Sequence, residues 1–120
     1  MSNIKLNKIF KTACIASDHA GYKLKEDIKN YLIDKKMSVF DIGPYNDNSV
    51  DYPDYAKKLG NRIKLKKSDV GILVCGSGTG MAISANKIKS IRAAVCYNMK
   101  STRLSRQHNN ANIIAVSYTH

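Results

Sequence analysis

Five short apolar runs, Thr12–Ser17, Ser38–Ile42, Asp69–Cys75, Arg92–Cys96 and Asn112–Val116, alternate with segments whose apolar residues recur at helical spacing. Runs this short suit strands buried on both faces, and a helix between each pair of strands returns the chain so that the strands pair in parallel. Right-handed crossovers then lay helices on both faces of one sheet. The expected fold is α/β, a doubly wound five-stranded parallel sheet in a three-layer α/β/α sandwich of Rossmann-like type. A helix over Ala20–Lys35 would turn Leu24, Ile28, Tyr31 and Leu32 inward. A second, opening at Asp51-Tyr52-Pro53, would do the same with Tyr55, Ala56, Leu59 and Ile63. The third spans Thr79–Ile88 and the fourth Met99–His108.

At 120 residues the chain is read as an N-terminal extension, 1–11, and a single domain, 12–120. It has no low-complexity tract, no repeat, no apolar window near the roughly 20 residues of a membrane span, and too short an apolar stretch at its start for a secretory signal. A soluble cytoplasmic protein that does not engage membranes is therefore expected. The three cysteines, 14, 75 and 96, form neither an even secretory set nor a CxxC pair, so reduced thiols are expected and neither a disulfide framework nor a metal site. Cys14 and Cys96 sit inside apolar runs and are read as core.

A net charge of +11 raises the question of nucleic acid. Its lysines are scattered, at 23, 25, 29, 35, 36, 57, 58, 64, 66, 67, 87 and 89, on what would be solvent faces of helices and loops. A solvated surface whose positive field steers an anionic substrate explains this distribution better than a nucleic-acid interface.

In open parallel sheets ligands bind beyond the carboxyl ends of the strands. Three segments converge there: Ser17-Asp18-His19, the loop near Asp51-Tyr52, and Cys75-Gly76-Ser77-Gly78-Thr79-Gly80. The alternating glycines followed by a helix start read as a cradle of amides for an anion, with the Cys75 side chain leaving the core at its mouth. The cradle lacks the lysine of a nucleotide-triphosphate loop and follows the third strand, where a dinucleotide fingerprint is not expected. What remains is an amide nest able to stabilise an oxyanion beside a thiol, a combination suited to enediolate chemistry. Asp18 either caps the first helix or, with His19, binds hydroxyls and moves protons. His108 either complements a helix dipole or serves as an acid or anion ligand, and Asn109 is equally consistent with a C-terminal cap.

Five segments in order, IASDHAGY at 15–22, DYPDYA at 51–56, GILVCGSGTGMAISANK at 71–87, IRAAVC at 91–96 and SRQHNNANI at 105–113, resemble the ribose-5-phosphate isomerase B family. Galactose-6-phosphate isomerase subunits belong to the same superfamily. The resemblance implies a cofactor-free aldose–ketose isomerisation of ribose 5-phosphate and ribulose 5-phosphate through a cis-enediolate, in the non-oxidative pentose phosphate pathway. By resemblance Cys75 is the general base, His108 the acid that opens the furanose, and Asn109 a substrate ligand. Gly76, Ser77, Gly78, Thr79 and Gly80 hold the enediolate oxygens, Asp18 and His19 bind substrate, and Tyr52 lines the sugar. Met81 stands where some relatives place a glutamate base, which puts this chain in the cysteine branch. The resemblance also implies a homodimer, or a dimer of dimers, with sites at the subunit interface.

Family members carry an arginine at the position of Thr119 and continue into a helix whose arginines grip the phosphate. This sequence closes at Val116-Ser-Tyr-Thr-His120, so the expectation is a domain without that helix. The alternatives to the pentose reading are a galactose-6-phosphate isomerase subunit and a non-catalytic sugar-phosphate-binding remnant.

Overall fold

The computed structural model describes residues 10–45, 52–76, 79–96, 104–105, 107–108 and 110–117. Its elements run β1 (Thr12–Ser17), α1 (Tyr22–Asp34), β2 (Ser38–Gly43), α2 (Tyr52–Lys64), β3 (Val70–Cys75), α3 (Thr79–Asn86), β4 (Ala93–Cys96) and β5 (Ile113–Ser117). All five strands are parallel, in the order β2-β1-β3-β5-β4. The α/β alternation legible in the sequence is therefore present, with element ends displaced by one or two residues. Of the fourth helix expected over Met99–His108, Leu104, Ser105, Gln107 and His108 have helical backbone, and the remainder lies outside the described residues.

The two faces of the sheet are covered differently. On one, Ile15, Ile72 and Val74 pack beneath Leu24, Ile28 and Leu32 of α1. On the other, Cys14, Ala16, Leu73, Cys75, Ile113 and Ala115 meet Ala56, Leu59 and Ile63 of α2 and Met81, Ala82 and Ala85 of α3. Burial of a side chain such as Ile15, Leu59, Leu73 or Ile113 stabilises by about 1.5–3 kcal/mol apiece. The expected inward face of α2 is realised. That of α1 is narrower than expected, because Tyr31 is 60% exposed. Leu24, Ile28 and Leu32 already form an i, i+4, i+8 stripe, and a residue one position before Leu32 is turned about 100° away from it.

Close packing requires a glycine where α2 crosses β3. A Cβ at Gly71 would overlap the Leu59 side chain and lie 3.1 Å from Ile113 Cγ1. Leu59 and Ile113 are fully buried and cannot yield without disturbing the core.

One expectation about the surface is overturned. Lys25, read from the sequence as a solvated lysine, is fully buried in the first turn of α1. A cation there opposes the helix dipole. It is accommodated because its Nζ donates to Asp41 Oδ1 at 2.8 Å, Asp41 Oδ2 at 2.7 Å and Glu26 Oε2 at 2.8 Å. Lys29 Nζ completes the cluster, 2.8 Å from Asp41 Oδ2 and 3.1 Å from Glu26 Oε1. The hydrogen bond from Lys25 holds Glu26 below the usual carboxylate range. Burial pushes Asp41 upward, but the hydrogen bonds from Lys25 and Lys29 outweigh it and leave the carboxyl lowered. Lys29 is raised, chiefly by its bond to Asp41. Lowered carboxyls contribute stability that is lost as pH falls through their folded values; the raised ammonium contributes stability lost as pH rises through its own.

All three cysteines are buried thiols outside any disulfide, as the core reading of Cys14 and Cys96 requires. Burial raises the Cys14 thiol to about 11 from an ordinary 9.0, against smaller opposing effects of Ser68 and Arg62. The folded state thus keeps a proton that the unfolded chain has already lost, so stability must fall with rising pH in that window.

Two outcomes follow from this core. Gly71→Ala should lower unfolding free energy by about 1–3 kcal/mol in urea titrations, the range for overpacking. Between about pH 9 and 11 the native chain should lose roughly 2–3 kcal/mol more stability than Cys14→Ala, as the cysteine shift requires. Parallel stability profiles for the two proteins would exclude that origin.

Candidate active site

β3 is the middle strand, bonded to β1 on one edge and β5 on the other. Its last residue therefore ends between two chain segments that also end there. Ser17 of β1 lies opposite Val74, and the Asp18 N–H donates to the Val74 carbonyl at 3.1 Å, one residue past the end of β1. On the other edge Cys75 lies opposite Ser117. The Ser117 hydroxyl donates to the Gly76 carbonyl, tying the end of β5 to the first residue of the glycine turn. Asp18, Cys75 and Gly76 are thus brought together at the carboxyl ends of three neighbouring strands, as expected. Ser117 was not legible as a site residue, since the run appeared to end at Val116; no local signal marks a serine whose partner is 41 residues away.

The Cys75 side chain departs from expectation. It is 5% exposed and belongs to the cluster that includes Met81. The cause is the position of β3: its face at residue 75 belongs to the core shared with α2 and α3, so the residue is withdrawn from solvent. Met81 is fully buried directly after the start of α3 and serves as packing.

The N-cap of α1 is Gly21, with no side-chain capping bond, so Asp18 serves the turn before the helix and not the helix itself. Its Oδ1 accepts the Gly21 N–H at 2.8 Å, closing the turn into α1, while the residue stays partly exposed at the crevice. The turn is tight: a Cβ on Gly21 would lie 3.0 Å from Asp18 Oδ1 and 3.1 Å from the Val74 carbonyl. His19 is exposed in the same turn. Thr79 and Gly80 are the first residues of α3, so a helix N-terminus follows the strand end within four residues. Ser77, Gly78 and Asn109 lie outside the described residues. Tyr52 opens α2. His108 is exposed on a helical turn that follows β4; that turn reaches the sheet through buried Ser105, whose Oγ is 3.9 Å from Cys96 Sγ. Among the described residues no group of three or more His, Cys, Asp or Glu could hold a metal ion, and no helix is long and apolar enough to cross a membrane.

Residues 13–119 match the model of the Ribose/Galactose Isomerase family. The chain belongs to that family. Ribose-5-phosphate isomerase B of Escherichia coli is 40% identical over 88% of this chain and 70% of its own length. A ribose 5-phosphate isomerase of Thermotoga maritima superposes with a TM-score of 0.86 at 52% identity, over 88% of this chain and 72% of that one. Ribose-5-phosphate isomerase B of Mycoplasma genitalium, solved with bound ribulose-5-phosphate, superposes with a TM-score of 0.82 at 42% identity, over 88% and 71%.

Within this isomerase-family domain the Ser117 bond ties Gly76, the first residue after β3, to the end of β5. Ser117→Ala should reduce stability by about 1 kcal/mol, the usual net worth of one hydrogen bond. It should also speed amide exchange at Gly76 while leaving the β1–β2 pairing as protected as before; uniform loss of protection would assign the hydroxyl a global role instead.

Proposed function

We propose that this chain is an aldose–ketose isomerase interconverting ribose 5-phosphate and ribulose 5-phosphate, with Cys75 as the proton-transfer base. The observation that carries the reading is the convergence of a strand-end cysteine, a glycine turn and a helix N-terminus beside Asp18, in a chain whose relatives include an isomerase B holding ribulose-5-phosphate. The same relatives favour the pentose over the hexose substrate.

The chemistry follows from the groups. In the open-chain aldose the Cys75 thiolate removes the proton on C2, the C1 carbonyl oxygen takes up negative charge, and a cis-enediolate forms. By the family resemblance Gly76, Ser77, Gly78, Thr79 and Gly80 hold the developing oxyanion, the kind of donor set whose single members are worth about 3–4 kcal/mol in other enzymes. The thiol then returns its proton to C1, while the C2 hydroxyl proton is transferred to O1, giving the ketose with no net change in atoms or charge. Withdrawal of Cys75 from bulk water supports this role, because it prevents loss of the carried proton to solvent.

Asp18 and His19 bind the sugar from the end of β1, and Tyr52 does so from the start of α2. His108 protonates the ring oxygen to open the furanose, and Asn109 holds a substrate hydroxyl. The exposure of His108 on this protomer suits a residue that completes its site against a second copy, and we place the enzyme in the cytoplasm as a homodimer.

Turnover of ribose 5-phosphate, followed by ketose formation, tests the assignment. Cys75→Ala should lower kcat by about 10³-fold or more and His108→Asn by about 10²-fold, within the span of general acid–base catalysis. Unchanged turnover in Cys75→Ala would remove the cysteine from the mechanism. Activity on galactose 6-phosphate in preference to the pentose would reassign the substrate.

A further inference from the structure

The buried Lys25–Asp41 pair lies away from the proposed proton transfer, yet everything around it concerns the end of β2, where the chain leaves the sheet. The β1–β2 register runs from Thr12 opposite Ser38 to Ile15 opposite Asp41, then slips so that Ala16 faces Gly43. Ile42 is the extra residue of a β-bulge, the device by which a strand end is re-aimed next to a site. The bulge is held by Asp41 itself: its Oδ1 accepts the Gly43 N–H at 2.9 Å, and its backbone carbonyl accepts the Tyr45 hydroxyl at 2.9 Å. Gly43 has φ +123°, and a Cβ there would lie 2.9 Å from Tyr55 Cε1 of α2. Only glycine satisfies both conditions.

The Asp41 carboxylate is thus saturated. Oδ1 takes Lys25 and Gly43, and Oδ2 takes Lys25 and Lys29. Lys25 in turn belongs to the first turn of α1, whose entry loop carries Asp18 and His19, and its own N–H donates to the Gly21 carbonyl at 2.9 Å. One fully buried ammonium therefore ties the entry to α1 to the exit from β2. Rotation of the Asp41 carboxylate would release the Gly43 N–H and with it the bulge.

We infer that Lys25 and Asp41 are positioning residues for the isomerase site: their ion pair fixes the β2 bulge and so, through the close contact of Gly43 with Tyr55, sets the start of α2, which carries Tyr52. A merely structural ion pair would be replaceable by apolar side chains of similar volume without loss of stability or of function. A positioning pair would be replaceable only for stability. The inference rests on the isomerase reading for its kinetic consequence and on the bulge alone for its structural one.

The test uses the full chain with Lys25→Met/Asp41→Leu and, should that variant fail to fold, Asp41→Asn, which keeps an oxygen for Gly43 but removes the charge that orients it. Hydrogen exchange of the Gly43 amide is read alongside melting temperature and steady-state kinetics with ribose 5-phosphate. The expected result is a retained melting transition, exchange at Gly43 faster by about tenfold with β3 and β5 unaffected, and KM raised about tenfold with kcat changed less. Wild-type exchange and KM in a folded variant would overturn the inference. Absence of turnover in the wild-type chain would instead overturn the isomerase reading, and the exchange of Gly43 would still decide the role of the pair.

Discussion

The burial of β3 between β1 and β5 is the constraint on which the remaining architecture depends. A strand bonded on both edges and covered on both faces has no freedom of register, because a slip of one residue would exchange Ile72 and Val74 for Leu73 and Cys75 between two differently packed cores. Once that register is set, the strand ends at Cys75, the glycine turn begins at Gly76, and α3 starts over the core side of the sheet. The two neighbouring strands supply Asp18 on one edge and Ser117 on the other. A cysteine thiol, the start of a glycine turn and a carboxylate thus become neighbours through ordinary parallel pairing. Loop conformation is needed only to finish what the strand ends have already assembled.

A second constraint operates at the edge of the sheet. β2 has a neighbour on one side only, so its course past the last pairing with β1 is not dictated by a ladder. There the chain relies on a saturated charge cluster, with Asp41 receiving two ammonium groups and a backbone amide. Buried ion pairs are a poor source of net stability, because desolvation offsets most of the attraction. Their directional demands are strict, however, and a site that depends on the exit angle of an edge strand can use that strictness. The central strands are positioned by apolar burial, the edge strand by electrostatics.

Apolar periodicity carried the fold class, the number and direction of the strands and the core faces of Ala56, Leu59 and Ile63, because burial on a strand or helix is a local pattern. The family motifs named the site residues. Two features were misread for the same physical reason. Lys25 has the local context of any surface lysine, and its partner Asp41 lies 16 residues away on a strand, so nothing near it in the chain announces burial. Cys75 was expected at the open mouth of the crevice, since a strand terminus leaves the core in one dimension; in three dimensions it belongs to the core shared with α2 and α3.

By itself, the amino-acid sequence determined an alternating parallel α/β sheet, a thiol at the end of its third strand, a glycine turn beyond it and membership of an isomerase family. Hydrophobic period, glycine conformational freedom and motif order are all readable along one dimension. Only the tertiary structure decided that the strands take the order β2-β1-β3-β5-β4, that the thiol is withdrawn from solvent, that Ser117 bonds the Gly76 carbonyl and that a lysine is buried against Asp41 of the edge strand. Each of these depends on pairing between segments separated by many residues, where the energy comes from excluding water between surfaces and satisfying polar groups inside them. No window of neighbouring residues contains that information.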